Sequence, residues 1–232
     1  MINRQAPEKR APSSAHGNLD IHDIFYTIQG EGPFAGQPAV FIRLAGCNLQ
    51  CPMCDTDYTS QRINLDIKTV LWQVVNLSES KCRLVVITGG EPFRQDFGSL
   101  VEMLTDWGFI VQVETNGTYG PESFPYARCT VVCSPKTGAV HPRLHNHIRA
   151  YKYIIHADNI NPADGLPYTN LEHSAHPCVA RPHPGFQGTV YVQPVDVGIE
   201  SENRIHLEAT VQVALKYGYS LCLQLHKLCG LK

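Results

Sequence analysis

Three cysteines stand within eight residues, Cys47, Cys51 and Cys54, in the run GCNLQCPMCDT over 46–56. Thiolate is a soft ligand and selects zinc or iron–sulfur clusters. A structural zinc site takes four protein ligands, commonly as two pairs, and no fourth cysteine stands at matching spacing. Three thiolates on one loop suit a cubane cluster with one iron left free of protein ligands, open to an outside molecule. A zinc site completed by a distant cysteine or histidine is the alternative. The other six cysteines, Cys82, Cys129, Cys133, Cys178, Cys222 and Cys229, read as buried reduced thiols. An odd total of nine argues against a disulfide framework.

Further unusual residues follow at the ends of apolar runs. Thr88-Gly89-Gly90-Glu91-Pro92 closes the run LVVIT. Its glycines remove side chains where a ligand must approach the backbone. Pro92 keeps Glu91 out of the helical region, leaving carbonyls free to accept hydrogen bonds. Glu114-Thr115-Asn116-Gly117-Thr118, Ser134-Pro135-Lys136 and Gln193-Pro194-Val195-Asp196 end later runs.

The C-x3-C-x2-C spacing and the GGEP segment resemble the radical S-adenosylmethionine superfamily. The resemblance implies a [4Fe–4S] cluster on Cys47, Cys51 and Cys54, with S-adenosylmethionine on its open iron as the source of a 5′-deoxyadenosyl radical. Met53, Cys54, Asp55, Gly90, Glu91, Glu114, Ser134, Pro135, Lys136, Gln193, Pro194, Val195 and Asp196 are the implied cofactor contacts. Lys136 suits the methionine carboxylate, and the last four suit the adenine or ribose. Met53 stands where the superfamily usually has an aromatic residue, which weakens stacking on the adenine.

Upstream lies FYTIQGEG over 25–32, then Arg43, with Thr56 after the cysteines and QLHK at 224–227. These resemble the 7-carboxy-7-deazaguanine synthase family, over residues 21–232. That family contracts the ring of 6-carboxy-5,6,7,8-tetrahydropterin with loss of ammonia. The implied substrate contacts are Ile28, Gln29, Gly30, Glu31, Arg43, Thr88, His226 and Lys232. Arg43 suits a carboxylate through two parallel hydrogen bonds, and Glu31 suits N–H donors on the pterin edge. Magnesium prefers oxygen ligands and falls to Thr56 beside Asp55. Lys232 stands six positions after His226, where the family's terminal carboxylate reaches the substrate. The resemblance also implies a homodimer and an external, flavodoxin-like electron donor. Against it, Arg43 could be a satisfied strand arginine, Glu31 a loop charge and Thr56 a cap. A glycyl-radical-enzyme activase would share the cysteines and GGEP, and a zinc-binding adaptor would share the cysteines alone.

The elements that must position these residues alternate. Strand-like runs fall at 38–44, 84–88, 109–114, 130–134, 151–156, 189–193 and 220–226, and helical spacing at 65–77, 97–107 and 201–217, the last capped by Ser201. In the last strand, Gln224 and His226 share a polar face opposite Leu223 and Leu225. Such alternation means crossover units and a mainly parallel sheet, with ligands at the strands' C-terminal ends. The resemblance narrows this α/β class to a partial, TIM-like β/α barrel. Residues 158–188 break the pattern and read as a loop that is either functional or mobile. Residues 1–20 read as a loose polar tail before a single domain over 21–232.

Hydrophobic residues make up 43% of the 232, enough for a core, and the net charge is −2. Neither a nucleic-acid partner nor an anionic membrane surface is indicated, and no apolar run is long enough to span a membrane. The N-terminus lacks the apolar stretch of a secretory signal, which reads as cytoplasmic.

Overall fold

The computed structural model describes residues 3–11, 17–169 and 178–232. Among the described residues, nine strands form one sheet in the order β3-β1-β2-β4-β5-β6-β7-β8-β9. They are β1 (Asn18–Ile28), β2 (Pro38–Leu44), β3 (Ile63–Asp66), β4 (Leu84–Gly89), β5 (Ile110–Thr115), β6 (Cys129–Cys133), β7 (Ile148–Ile155), β8 (Thr189–Pro194) and β9 (Ser220–Leu221). β1 runs antiparallel to both β2 and β3. From β2 to β9 every pairing is parallel. The sheet stays open, with β3 and β9 at its edges, and is a partial β/α barrel.

The helices are α1 (Ile67–Ser78), α2 (Gly98–Asp106), α3 (Glu200–Tyr217) and the single turn α4 (Leu225–Leu228). Asp66 starts α1 by accepting from the backbone N–H groups of Lys68 and Thr69, satisfying two donors the helix cannot pair itself. Val70, Leu71 and Val74 of α1 and Leu100, Val101 and Leu104 of α2 are buried with Val40, Ile42, Val85, Ile87, Val111 and Val113 of the strands. Phe93, Phe97, Phe124 and Tyr126 extend that core as edge-on and tilted ring pairs. Side chains alternate across a strand, so the intervening residues face the other way. These are Phe41 and Arg43 of β2, Thr88 of β4, Glu114 of β5, Lys152 and Ile154 of β7 and Gln193 of β8, all lining one cavity. The alternation thus sorts an apolar helix-facing layer from a chemical one.

The structure departs from the sequence reading at several places. Of the segment read as a loose tail, residues 18–20 open β1, pairing with Asn64–Asp66 of β3. Residues 3–11 lie hydrogen-bonded along the cysteine loop, and residues 1–2 and 12–16 fall outside the described ones. Ser201 does not cap α3: the capping position is Ile199, and its side chain makes no cap hydrogen bond. The last strand ends at Leu221, and Gln224 leads into α4 instead of sharing a strand face with His226. Leu225 N donates to Gly30 O at 3.3 Å, and the Gln224 side chain turns in to Glu31, which draws the chain off the sheet. Cys178 and Cys229 are exposed and Cys129 is half-buried, whereas Cys82, Cys133 and Cys222 are buried as expected. Of the 158–188 loop, residues 170–177 lie outside the described ones. The rest is irregular but pinned by the Arg181–Asp164 pair at 2.6 Å and by Tyr153 OH donating to Ala180 O at 2.8 Å.

Candidate active site

The cavity encloses about 380 Å³, within the range of small-ligand sites. Cys47, Cys51, Met53, Cys54, Asp55 and Thr56 line it from the loop between β2 and β3. Cys47, Cys51 and Cys54 form an apolar patch with Leu49 and Tyr58. Burial pushes the Cys47 thiol up to about 12 and the Cys51 thiol up to about 11, and raises Cys54 as well. Their neighbourhood therefore favours either neutral thiols or sulfurs bound to a soft metal, and the donor set fits the cluster. Among the described residues, no group of three or more His, Cys, Asp or Glu side chains forms a single-ion site.

Gly89, which ends β4, and Gly90 both line the cavity, and they also allow a close approach within the protein. A Cβ on Gly89 would lie 2.2 Å from Leu44 O, and one on Gly90 would lie 2.4 Å from Gly46 O and 2.5 Å from the Cys47 Cβ. Their absent side chains let the cysteine loop itself close against the strand end. Glu91 does not line the cavity. Its carboxylate accepts from Phe93 N, Thr115 Oγ1 and Asn116 N at 2.7–3.0 Å, and its carbonyl accepts from Arg94 N. Burial lifts it to about 7 against those donors. Glu91 is thus a bracket between the ends of β4 and β5. Pro135 and Gly30 also stand outside the lining. Gly30 instead makes room for His226, whose Nδ1 would lie 2.1 Å from a Cβ at that position.

The opposite wall is polar. Glu31 is buried and pairs with Lys152, and it also accepts from Gln224 Nε2 at 2.8 Å and Gln193 Nε2 at 3.3 Å. Burial opposes its ionisation, but the Lys152 ammonium and these hydrogen bonds outweigh it, so its carboxyl titrates below the ordinary value. Burial disfavours the Lys152 charge too, and Glu31 more than offsets it. Glu114 accepts from Gln29 and Gln112 at 2.9 Å and from Thr88 at 3.3 Å. Arg43 stacks over Phe25 at 5.3 Å, and its buried Nε has no hydrogen-bond partner. Lys136 is depressed by burial, as is His226.

At the rim, Lys227 bridges Asp55 at 2.8 Å and Asp196 at 2.9 Å. Thr56 Oγ1 reaches Asp55 at 3.4 Å. Ile28, Ser134, Pro194 and Val195 complete the lining on this side. Lys232 lines the cavity, its main-chain oxygen accepts from Thr27 Oγ1 at 3.0 Å, and its ammonium pairs with Asp23. The segment before it is less buried than its apolar composition implied, since Leu228 is 72% exposed.

Most of the sequence-derived site residues therefore meet in one cavity. Sequence reasoning missed Lys152, Lys227, Thr27 and Tyr58. Lys152 carried a usable signal, a lysine inside an apolar strand, which is rare without a buried partner.

Residues 41–127 match the family model described as the radical SAM superfamily. The 7-carboxy-7-deazaguanine synthase of Rhodospirillum rubrum is 42% identical over 94% of this chain and 95% of its own length. The enzyme of that name from Rickettsia prowazekii is 41% identical, over 97% and 94%. The crystal structure of QueE from Escherichia coli superposes with a TM-score of 0.67 at 24% identity, over 90% of this chain and 95% of that one, which supports the fold. With this identity along nearly its whole length, the chain belongs to the 7-carboxy-7-deazaguanine synthase family, within the radical S-adenosylmethionine superfamily.

Proposed function

We propose that the chain converts 6-carboxy-5,6,7,8-tetrahydropterin into 7-carboxy-7-deazaguanine with release of ammonia. The observation that carries this reading is the cavity's two-sided lining: three unpaired thiols on one wall, and Arg43 with the Glu31–Lys152 pair on the other. When bound, a [4Fe–4S] cluster and S-adenosylmethionine supply the 5′-deoxyadenosyl radical that starts the ring contraction.

The residues divide the work by chemistry. Cys47, Cys51 and Cys54 hold the cluster. Lys136, Ser134, Glu114, Gln193 and the stretch Pro194–Asp196 bind and orient S-adenosylmethionine, with Lys136 on its carboxylate and Met53 against its adenine. Arg43, which lines the cavity over Phe25, takes the substrate carboxylate with its guanidinium. Glu31, ionised by virtue of Lys152, accepts from N–H groups of the pterin ring. His226, kept neutral by burial, offers one ring nitrogen as donor and the other as acceptor. Thr56 would offer its hydroxyl oxygen to a magnesium ion, which would help neutralise the substrate carboxylate. An external, flavodoxin-like reductant delivers the electron, and the working enzyme is a homodimer.

The direct test is an anaerobic assay with reconstituted cluster, S-adenosylmethionine, reductant, magnesium and the carboxytetrahydropterin, following carboxydeazaguanine by mass. Formation of 5′-deoxyadenosine without carboxydeazaguanine would leave the superfamily chemistry intact and remove this substrate.

A further inference from the structure

The cysteine loop has little structure of its own. Gly46 N donates to Tyr58 O at 2.8 Å, closing the loop at its base, and Cys54 N donates to Cys51 O at 3.2 Å within it. Backbone groups left over from such a loop must find partners elsewhere or face water. Many of them find residues 3–11. Asn3 N donates to Pro52 O at 2.8 Å, and Glu8 N donates to Cys47 O at 2.6 Å. Asn3 Nδ2 donates to Cys51 O at 3.1 Å and to Tyr58 OH at 3.3 Å. Gln5 Nε2 donates to Thr56 O at 2.9 Å, while Gln5 Oε1 accepts from Tyr58 N at 2.8 Å and Thr59 Oγ1 at 3.0 Å.

The segment is itself braced. Asn3 Oδ1 accepts from Gln5 N at 2.9 Å and Gln5 Nε2 at 3.1 Å. At the far end the buried Arg94 guanidinium donates to Lys9 O at 2.8 Å and Ala45 O at 3.1 Å and pairs with Glu8 at 3.1 Å. Ala11 N returns a bond to Arg94 O at 2.9 Å. One guanidinium thus ties the segment to the start of the cysteine loop.

We propose that residues 3–11 are a strap that positions the cluster, with Asn3 and Gln5 as its positioning residues. The proposal rests on the assignment of the cluster to Cys47, Cys51 and Cys54. Two of the carbonyls the strap holds belong to those cysteines, and Gln5 grips the loop on both sides of Asp57, at Thr56 and Tyr58. Each bond removes freedom the loop would otherwise lose when three sulfurs take up cluster geometry. Lys9 contributes only its main-chain oxygen among these contacts, so its side chain is dispensable.

The test compares the unaltered chain with an Asn3→Ala/Gln5→Ala double variant, a variant lacking residues 1–11, and Lys9→Ala. Three measurements are made. The first is hydrogen exchange of residues 46–58 in metal-free protein. The second is the rate at which a chelator strips iron after anaerobic reconstitution. The third is the electron paramagnetic resonance spectrum of the reduced cluster with and without S-adenosylmethionine. The double variant and the truncation are expected to exchange faster in 46–58 and to lose iron about tenfold faster, the scale of one or two lost hydrogen bonds. Their resonance spectra should be broadened, and Lys9→Ala should match the unaltered chain. Gln5→Glu keeps the acceptor for Tyr58 N but loses the donor to Thr56 O, and should fall between. Unchanged exchange and unchanged spectra in the double variant would overturn the strap. Failure of the unaltered chain to take up iron would instead sink the cluster assignment, while the exchange comparison would still decide whether residues 3–11 order the loop.

Discussion

At one wall of the cavity, three thiols share an apolar patch with Leu49 and Tyr58. At the other, Glu31, Lys152, Gln193 and Gln224 form a buried network in which each charge has an opposite or a donor at hand. The first wall is incomplete without a soft metal, and its loop borrows its order from the N-terminal segment. The second is already neutralised before a ligand arrives. A buried charge costs several kcal/mol unless paired, so the substrate wall can carry charges in a dry cavity only because the fold pairs them in advance. Against that background Arg43, which lines the cavity and stacks over Phe25, is the residue to which the proposed function gives the substrate carboxylate.

The comparison breaks most sharply at the thiols. Cys47→Ala, Cys51→Ala and Cys54→Ala should each abolish cluster binding, because no other cysteine lines the cavity to replace the lost ligand. Cys82→Ala and Cys178→Ala should keep their iron, and iron and sulfide content of reconstituted protein measures both groups. Equal loss in the two would remove the assignment.

The substrate wall should break by destabilisation instead. Lys152→Met leaves Glu31 buried without its cation, at a cost of about 3–5 kcal/mol. The pH dependence reverses with it. In the unaltered chain Glu31 titrates below 4.5, so its contribution to stability is present above that value and fades as pH falls through the folded pKa. Without Lys152, burial dominates and the folded pKa rises above the unfolded one. The contribution is then present at low pH and lost as pH rises through the folded value. Denaturant midpoints should therefore fall with acidification below about 4.5 in the parent and level off above it, whereas in the variant they should fall as pH rises above about 4.5. A Lys152→Met/Glu31→Gln double variant should recover much of the loss, since it leaves no lone charge. Equal slopes in parent and single variant would mean the pair is not what neutralises this wall.

Arg43→Ala sharpens the contrast from the ligand's side. Losing one partner of a buried charge-assisted contact costs roughly 2–5 kcal/mol. Here that should appear as a raised KM for the carboxytetrahydropterin, with uncoupled cleavage of S-adenosylmethionine retained. Lost cleavage with unchanged substrate affinity would assign Arg43 to the cofactor or the fold.

The two walls also differed in how readable they were. The cysteines, Thr88–Pro92 and Ser134–Lys136 are local motifs, and Glu114 and Gln193 were legible as residues at the ends of apolar runs. Lys152 was missed because the partner that makes it tolerable, Glu31, lies 121 positions away in sequence. Asn3 and Gln5 were missed for a related reason: a polar segment without periodicity gains meaning only from the carbonyls it meets. Glu91 is extended before Pro92, as the sequence implied, but its side-chain partners were not legible. Its motif position was right, but its side chain is spent on Phe93, Thr115 and Asn116, contacts that depend on the pairing of β4 with β5. The last strand failed because its alternating pattern over 220–226 is overridden by two long-range bonds, Leu225 N to Gly30 O and Gln224 Nε2 to Glu31.

The smallest effect is expected where the walls meet, at the rim. Thr56 is half-buried, two residues after Cys54 and next to the exposed Asp55, and its hydroxyl makes a long contact to Asp55 Oδ1. Its carbonyl, by contrast, is held by Gln5, so Thr56→Ala removes the hydroxyl while the backbone stays tied. If that hydroxyl is one ligand of a magnesium ion that otherwise keeps waters and substrate oxygens, its loss should be partly made good by a further water. A tenfold rise in the magnesium needed for half-maximal turnover, about 1.4 kcal/mol, is the scale expected. Iron content and S-adenosylmethionine binding should not change, because neither uses the side chain. Titrating magnesium against turnover in chelator-treated enzyme measures the shift. Turnover indifferent to magnesium in both proteins would take the ion out of this site and leave Thr56 as a residue held for its carbonyl alone.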